Sequence, residues 1–404
     1  MAKAKKKKKN TARSQAAFHT IQGGAEEQTG GFRDYSLLFI VLFLLAFGLV
    51  MLYSTSSYEA AIKYGDAAHW LKRQLGATVL GLVGMLIVTL IPYRLWKKVA
   101  PAAYGLSVLL VLAIIRFGVE VNGAKRWFRF FGISLQPAEV AKIGVILVTA
   151  VLLERLGERI QTWKGLFLSM GPSLFMAVLI YGITNNLSSA LIVIAIAAAM
   201  VFVASRDYKR FLIIGGSGAA AVAGLIFYIV RNAANADAME FRGRRILAWL
   251  DPQAYAADTA FQTLQGLYAI GSGGVFGKGL GQSMQKLGYI PEAQNDMIFS
   301  IICEELGMFG AISIILMFIL LIWRFLAIAN NAADFFGGMV VTGVMAHIAV
   351  QAFLNIAVVT NTIPNTGVTL PFISYGGTSI LFLLMEVGLC LSVGRGTPLR
   401  AIES

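Results

Sequence analysis

Apolar residues run through this chain in blocks of about 17–25, the length that crosses roughly 30 Å of hydrocarbon as a helix. The blocks lie near residues 35–55, 74–92, 100–116, 137–153, 166–183, 188–204, 210–230, 297–323, 337–359 and 371–394. They predict an all-α polytopic membrane protein of about ten transmembrane helices. A large extracellular loop, residues 231–296, falls between the seventh and eighth of them. A polar break at Asn185-Asn186 separates the fifth block from the sixth. Residues 1–33 lack periodicity and read as a disordered basic cytoplasmic tail, residues 34–396 as the transmembrane domain, and residues 397–404 as a cytoplasmic C-terminal tail.

Composition agrees. Of 404 residues, 57% are hydrophobic and 14% charged, against roughly 25% charged in soluble domains. Lipid must solvate that excess. The net charge of +13 is not a nucleic-acid signature, because much of it sits in one run, Lys3 and Lys5 to Lys9. That run serves as an orientation signal with attraction for anionic lipid. Cys303 and Cys390 fall inside apolar stretches, so no disulfide framework is expected. The first apolar run is long enough to span the membrane, so no cleaved signal peptide is expected. With the Lys-rich tail inside, the inner loops carry Arg94, Lys97 and Lys98, then Glu154–Lys164, Ser205–Arg210, Arg324, Arg395 and Arg400. Both termini are then cytoplasmic.

Two external segments break the positive-inside pattern. Phe117–Gln136 holds Lys125, Arg126 and Arg129; Arg231–Asn295 holds Arg231, Arg242, Arg244, Arg245, Lys278 and Lys286. Either they are solvated loops that tolerate charge, or they grip an anion, since arginine forks match phosphate bidentately. Phe241–Leu250 alternates arginine with apolar residues and fits an amphipathic helix in the interface. Gly271–Gly281 must be flexible or tightly turned. It lacks the Gly-Lys-Ser/Thr ending of a nucleotide loop.

For chemistry on a hydroxyl, a base must stand near the reacting group. Among the external carboxylates (Glu59, Asp66, Glu120, Asp237, Glu240, Asp251, Asp258, Glu292 and Asp296), Asp296 stands where a polar segment meets an apolar helix. Partial desolvation there raises a carboxylate toward a useful base. The competing reading is a helix N-cap. Glu139, Lys142, Glu304, Glu305, His347 and Glu386 lie in the apolar blocks and need partners or a cavity. A pair between Lys142 and Glu304 or Glu305 is expected as structural glue. His347 reads as an interhelical hydrogen bonder, and Trp127 as a sugar-stacking ring or an interface anchor. No cluster has metal-site spacing. The prolines and paired glycines of Leu370–Ser379 predict a broken start to the last helix, beside a cavity near the outer face.

These residues fall into runs that resemble the SEDS family, the FtsW/RodA/SpoVE peptidoglycan polymerases. The runs are Asn122-Gly-Ala-Lys-Arg-Trp127, Gln136-Pro-Ala-Glu-Val-Ala-Lys142, Ala269-Ile-Gly-Ser-Gly-Gly274 with Gly277-Lys-Gly279, Pro291-Glu-Ala-Gln-Asn-Asp296, Glu304-Glu-Leu-Gly307 and Leu370-Pro-Phe-Ile-Ser-Tyr-Gly-Gly377. The resemblance spans about residues 35 to 395 and implies ten helices in the bacterial cytoplasmic membrane, with an extracellular active site polymerising lipid II. It implies that Asp296 deprotonates the acceptor GlcNAc 4-hydroxyl for attack on the donor MurNAc C1, expelling undecaprenyl diphosphate. It assigns Lys125, Arg126, Trp127, Arg242, Arg244, Arg245 and Lys278 to substrate binding. Glu139, Lys142, Glu304, Ser374 and Gly376 become structural or substrate-proximal. No cofactor is implied, with a divalent cation left open. The implied partners are a class B penicillin-binding protein and division or elongation proteins.

Two positions depart from the family pattern: Asn186 replaces an acidic residue, and Gln294-Asn295 replaces His-Thr before the aspartate. Thr369 before Leu370-Pro371 leans toward the FtsW type. The alternatives are a lipid II flippase, which needs a charged path to the inner face, and a scaffold that recruits a transpeptidase.

Overall fold

The structure is a computed structural model that describes residues 34–121, 124–130, 133–205, 207–232 and 241–395. The expected tails (1–33 and 397–404), together with Asn122, Gly123, Asp237 and Glu240, lie outside the described residues, as does the side chain of Arg242.

In chain order the elements are α1 Tyr35–Tyr64, α2 His69–Leu90, α3 Tyr93–Phe117, β1 Val119–Val121, β2 Ala124–Phe130, β3 Ile133–Leu135, α4 Pro137–Leu156, α5 Trp163–Thr184, α6 Leu187–Ala204, α7 Tyr208–Arg231, α8 Phe241–Leu250, α9 Phe261–Gly273, α10 Ile298–Asn330, α11 Phe335–Val359 and α12 Ser379–Arg395. Eight of these helices are long and apolar enough to cross a membrane. α4, which carries Glu139 and Lys142, and the 17-residue α12 pack inside the same bundle. This is a polytopic helical membrane protein.

Side chains set the helix ends. Asp34 accepts from Leu37 N at the start of α1, and Asp334 from Gly337 N at the start of α11, each at 2.8 Å. The break between α5 and α6 is two asparagines with different tasks. Asn185 closes α5 in the left-handed region at φ 53, and the Asn186 side chain caps α6 through Ser189 N at 3.1 Å. The core runs through α1, α4, α10, α11 and α12, around Leu44, Ile146, Phe325 and Leu384. On α7 only Arg210 and Ile229 are buried, so that helix is a lipid-facing outrigger.

Four expectations need correction. The chain is not purely helical: β1, β2 and β3 form an antiparallel meander in the segment 117–136. α3 begins at Tyr93, before the apolar block: Pro92 precedes it, and Arg94, Lys97 and Lys98 lie in its first two turns, with Arg94 and Lys97 paired to Asp334 and Glu154. α10 is not continuous; Gly307, at φ 67 and ψ −165, breaks it after two turns. Finally, the last span starts as a helix at Ser379 rather than at 371, because residues 371–378 form the broken entry that their proline and glycines predict.

The break in α10 is covered by the glycine-rich loop. Lys278 N and Gly279 N donate to Glu304 O and Glu305 O at 2.9 Å, and Met308 N and Phe309 N donate to Gly274 O and Val275 O at 2.9 and 3.1 Å. The main chain freed by Gly307 is thus paired again within protein, as a non-helical segment at this depth requires. A Cβ on Gly277 would meet Glu305 O at 2.2 Å, so this close approach needs glycine.

Candidate active site

Asp296 lies in the connection two residues before α10 and is half-buried. It does not cap the helix: Met297 flanks α10 without a side-chain cap. Instead, Asp296 Oδ1 accepts from Gln262 Nε2 at 3.3 Å. Gln262 Oε1 accepts from Asn365 Nδ2 at 3.2 Å, and Asn365 O accepts from Arg245 Nη1 at 3.1 Å. One hydrogen-bonded line therefore joins Arg245 to Asp296 through α9 and the loop after α11. Trp249 Nε1 fixes α8 to that same loop by donating to Asn361 O at 3.0 Å.

Burial raises the pKa of Asp296 from 3.8 to about 6. Desolvation is the largest cause and the negative charge of Glu292 adds to it; the residue's own main-chain N–H, Arg245 and Gln262 oppose it. A carboxylate titrating there is ionised at neutral pH yet more basic than a solvated aspartate, as general-base work requires. Access is kept by Gly367, at φ +67, where an added Cβ would stand 3.8 Å from Asp296 Oδ2.

Behind the carboxylate stands a buried polar column that the charge pattern did not foretell. Asn355 Nδ2 donates to Asp296 O and to Val368 O, each at 2.7 Å. One turn along α11, Gln351 Nε2 donates to Thr369 O at 3.1 Å, and its Oε1 lies 2.9 Å from His347 Nε2. His347 Nδ1 lies 2.7 Å from Glu386 Oε2. Lys142 Nζ reaches Gln351 Oε1 at 3.4 Å and pairs with Glu139 at 2.8 Å. The expected bridge from Lys142 to Glu304 or Glu305 is therefore wrong, because Glu139 sits one turn away on the same face and is nearer.

Glu304 and Glu305 serve the glycine-rich loop instead. Glu304, fully buried, pairs with Lys278 at 2.7 Å and accepts from Met284 N at 3.2 Å and from Ser283 Oγ. Glu305 takes Lys286 at 2.8 Å and Ser54 Oγ at 2.8 Å. Lys278 is thus spent on a carboxylate.

The other expected binding residues divide. Arg245 joins the Asp296 line, whereas Arg244 is paired with Asp258. Arg126 donates to Thr184 O and Asn185 O, each at 3.2 Å, at the C-terminal end of α5, where a cation suits the helix carbonyls. Lys125 is exposed opposite Glu120, and Trp127 is half-buried opposite Val119. The meander is tied to the site because Thr378 Oγ1 donates to Ser134 O. Ser374 Oγ accepts from Leu370 N at 2.8 Å, Tyr375 N donates to Gln294 O at 2.9 Å, and Gly376 N donates to Gln74 Oε1 at 3.4 Å. These bonds lock the loop 370–377 beside the segment that carries Asp296.

Gln262, Asn355 and Gln351 were missed. The last two had a signal, because His347, Gln351 and Asn355 recur every fourth residue in an otherwise apolar helix. Among the described residues, no group of three or more His, Cys, Asp or Glu side chains is placed to hold a metal ion.

The chain as a whole is similar to known proteins. The profile of the cell cycle protein family FtsW/RodA/SpoVE matches residues 35–397. A protein of Trichlorobacter lovleyi named "Probable peptidoglycan glycosyltransferase FtsW" is 39% identical over 374 residues, covering 91% of this chain and 95% of that protein. Stage V sporulation protein E of Bacillus subtilis is 36% identical over 364 residues, covering 90% and 97%. Among solved structures, a peptidoglycan synthase complex that coordinates polymerization and crosslinking contains a chain 28% identical, with a TM-score of 0.72, covering 91% and 99%. Rod shape determining protein RodA of Thermus thermophilus is 26% identical, with a TM-score of 0.63, covering 90% and 97%.

Proposed function

Because the chain belongs to the FtsW/RodA/SpoVE family, on its FtsW side, we propose that it is a peptidoglycan glycosyltransferase polymerising lipid II into glycan strands in cell division or cell-shape maintenance. The observation that carries this reading is Asp296: a half-buried carboxylate with a pKa raised to about 6, joined by hydrogen bonds to an arginine. Asp296 takes the proton of the acceptor GlcNAc 4-hydroxyl as that oxygen bonds to the donor MurNAc C1. The bond from C1 to phosphate breaks, and its electron pair leaves with undecaprenyl diphosphate. Arg245 meets the negative charge on the leaving group, with Trp127 and Lys125 of the meander lining the approach.

Asp296 faces the outside of the cytoplasmic membrane, ten helices cross it and both termini are cytoplasmic. The basic loops at the other end support this orientation. The proposed partner is a crosslinking transpeptidase of the class B penicillin-binding type, supported by the related chain's place in a synthase complex for polymerization and crosslinking. A flippase is disfavoured because the buried polar column stops at Glu386. In the next turns of α12 the buried side chains are Val387, Leu389, Cys390 and Val393 with one uncharged polar group, Ser392, which donates to Ile91 O at 2.7 Å, so no buried charge follows Glu386 on that helix. In proteoliposomes with labelled lipid II and the cognate transpeptidase, the wild type makes glycan polymer and Asp296→Asn does not. Polymer from that variant at the wild-type rate removes the assignment.

A further inference from the structure

Far from Asp296 the molecule holds a cavity lined mostly by cations. It occupies about 610 Å³ where the start of α3, the end of α4 and the start of α11 meet, and is lined by Arg94, Lys97, Lys98, Arg155, Asp334 and Phe336, with Pro101 at its side. Asp334 begins α11, whereas Asn355, which holds Asp296, lies 21 residues later on that helix. At 1.5 Å per residue, the two sites are about 30 Å apart.

Four cations face one carboxylate in this cavity, and the carboxylate is already committed. Asp334 accepts from Gly337 N at 2.8 Å, from Tyr93 Oη at 2.8 Å and from Arg94 Nε at 3.3 Å. Lys97 is paired with Glu154. Among the described residues, Lys98 and Arg155 have no acidic partner. They stand on two different helices over an apolar floor formed by Pro101 and the buried Phe336. On the same helix but outside the cavity's lining, Leu95 and Val99 of α3 are 47% and 43% exposed and offer apolar surface. Unneutralised cations, a roomy hollow with an apolar floor and exposed apolar residues on the same helix together match a phosphate group that carries hydrocarbon.

We infer that this cavity binds a phosphate-bearing anion, with the headgroup of an anionic phospholipid as the ligand its surroundings fit. Lys98 and Arg155 hold the phosphate, and Leu95 and Val99 take the first part of an acyl chain. This site is separate from the proposed polymerase centre and uses none of its residues.

The test uses the full chain purified in mild detergent, incubated with phosphatidylglycerol, cardiolipin or phosphatidylcholine and read by native mass spectrometry. The wild type is expected to retain the two anionic lipids over phosphatidylcholine, and Lys98→Gln/Arg155→Gln to lose that retention by roughly tenfold or more. Arg159→Gln/Lys164→Gln, which removes two cations outside the cavity, is expected to retain lipid as the wild type does. Equal melting temperatures in phosphatidylcholine establish that the variants are folded, and Lys98→Gln alone serves if the double variant is not. A second arm adds inorganic phosphate without lipid. A phosphate-dependent rise in melting temperature that the cavity variant lacks, without lipid discrimination, assigns the same site to a soluble phosphate. Equal retention of anionic and zwitterionic lipid with no phosphate-dependent rise overturns the inference, and so does equal loss of anionic lipid in both double variants.

Discussion

Asn355 Nδ2 lies 2.7 Å from the carbonyl oxygen of Asp296 and holds Val368 O at the same distance, so one amide on α11 fixes both the proposed base and the loop that covers it. The amide is buried, and losing it strands two acceptors at about 1–3 kcal/mol each. Asn355→Leu is therefore expected to lower the melting temperature of the detergent-solubilised protein and to reduce polymerisation more than tenfold. A thermal melt alongside the lipid II assay checks both. Unchanged melting and rate would leave Asn355 without a positioning role.

The pH profile of polymerisation should report Asp296 directly. Its carboxyl titrates at about 6, chiefly because it is desolvated, and the base must be ionised to accept a proton. The rate is expected to be flat near pH 7–8 and to fall about tenfold per unit below roughly pH 6. Gln262→Leu removes a hydrogen bond that stabilises the carboxylate, so the acidic limb should move to higher pH. Lower activity with an unmoved limb would mean that Gln262 acts on the fold alone.

The same shift makes a stability prediction of definite sign. The pKa of Asp296 is raised on folding, from 3.8 to about 6, so the folded state binds the proton more tightly than the unfolded chain. This group's contribution is most favourable below pH 4 and is lost as pH rises through 6. Asp296→Asn, which removes the buried charge, should thus raise the melting temperature at pH 7.5, by an effect on the order of 2–3 kcal/mol, and lose that gain toward pH 4. A variant that melts lower at pH 7.5 would contradict it.

Much of this fold was legible because lipid imposes a simple code, in which apolar length gives spans. Asp296 was legible for a related reason, since a carboxylate where a polar segment meets an apolar helix is rare. Pairing was less legible. Lys142 could face Glu139, Glu304 or Glu305 by spacing, and only packing decides; α4 lies against α11, so Lys142 meets Gln351 rather than α10. The meander at 119–135 escaped notice because its strands are three to seven residues long. Gly307 escaped because one glycine in a long apolar run is no break by itself; its break depends on the partner loop 274–279.

Arg245 and Arg244 make a contrasting pair. Arg245 belongs to the line of hydrogen bonds that ends at Asp296, while Arg244 is neutralised by Asp258 at an exposed site. Arg245→Gln should weaken lipid II binding and also move the acidic limb upward, since its charge lowers the Asp296 pKa. Arg244→Gln should change binding less than threefold, because an exposed pair contributes only about 0–1 kcal/mol. Binding to labelled lipid II, with a pH profile for each variant, checks the contrast.

Lys278 separates two readings that its sequence context leaves fused. As a substrate ligand, its removal would weaken lipid II binding in an intact protein. Yet Lys278 is 34% exposed while Glu304, its partner at 2.7 Å, is fully buried, and that carboxylate also gathers Ser283 and Met284. Truncating the lysine leaves a buried carboxylate without its counterion, which costs about 3–5 kcal/mol. Lys278→Ala should therefore melt well below the wild type. Lys278→Ala/Glu304→Gln should recover part of the loss, because the glutamine keeps hydrogen bonds to the loop without an unpaired charge. A double-mutant cycle on melting temperature measures this coupling. Coupling near zero, with lipid II affinity lost in Lys278→Ala alone, would return the lysine to the substrate.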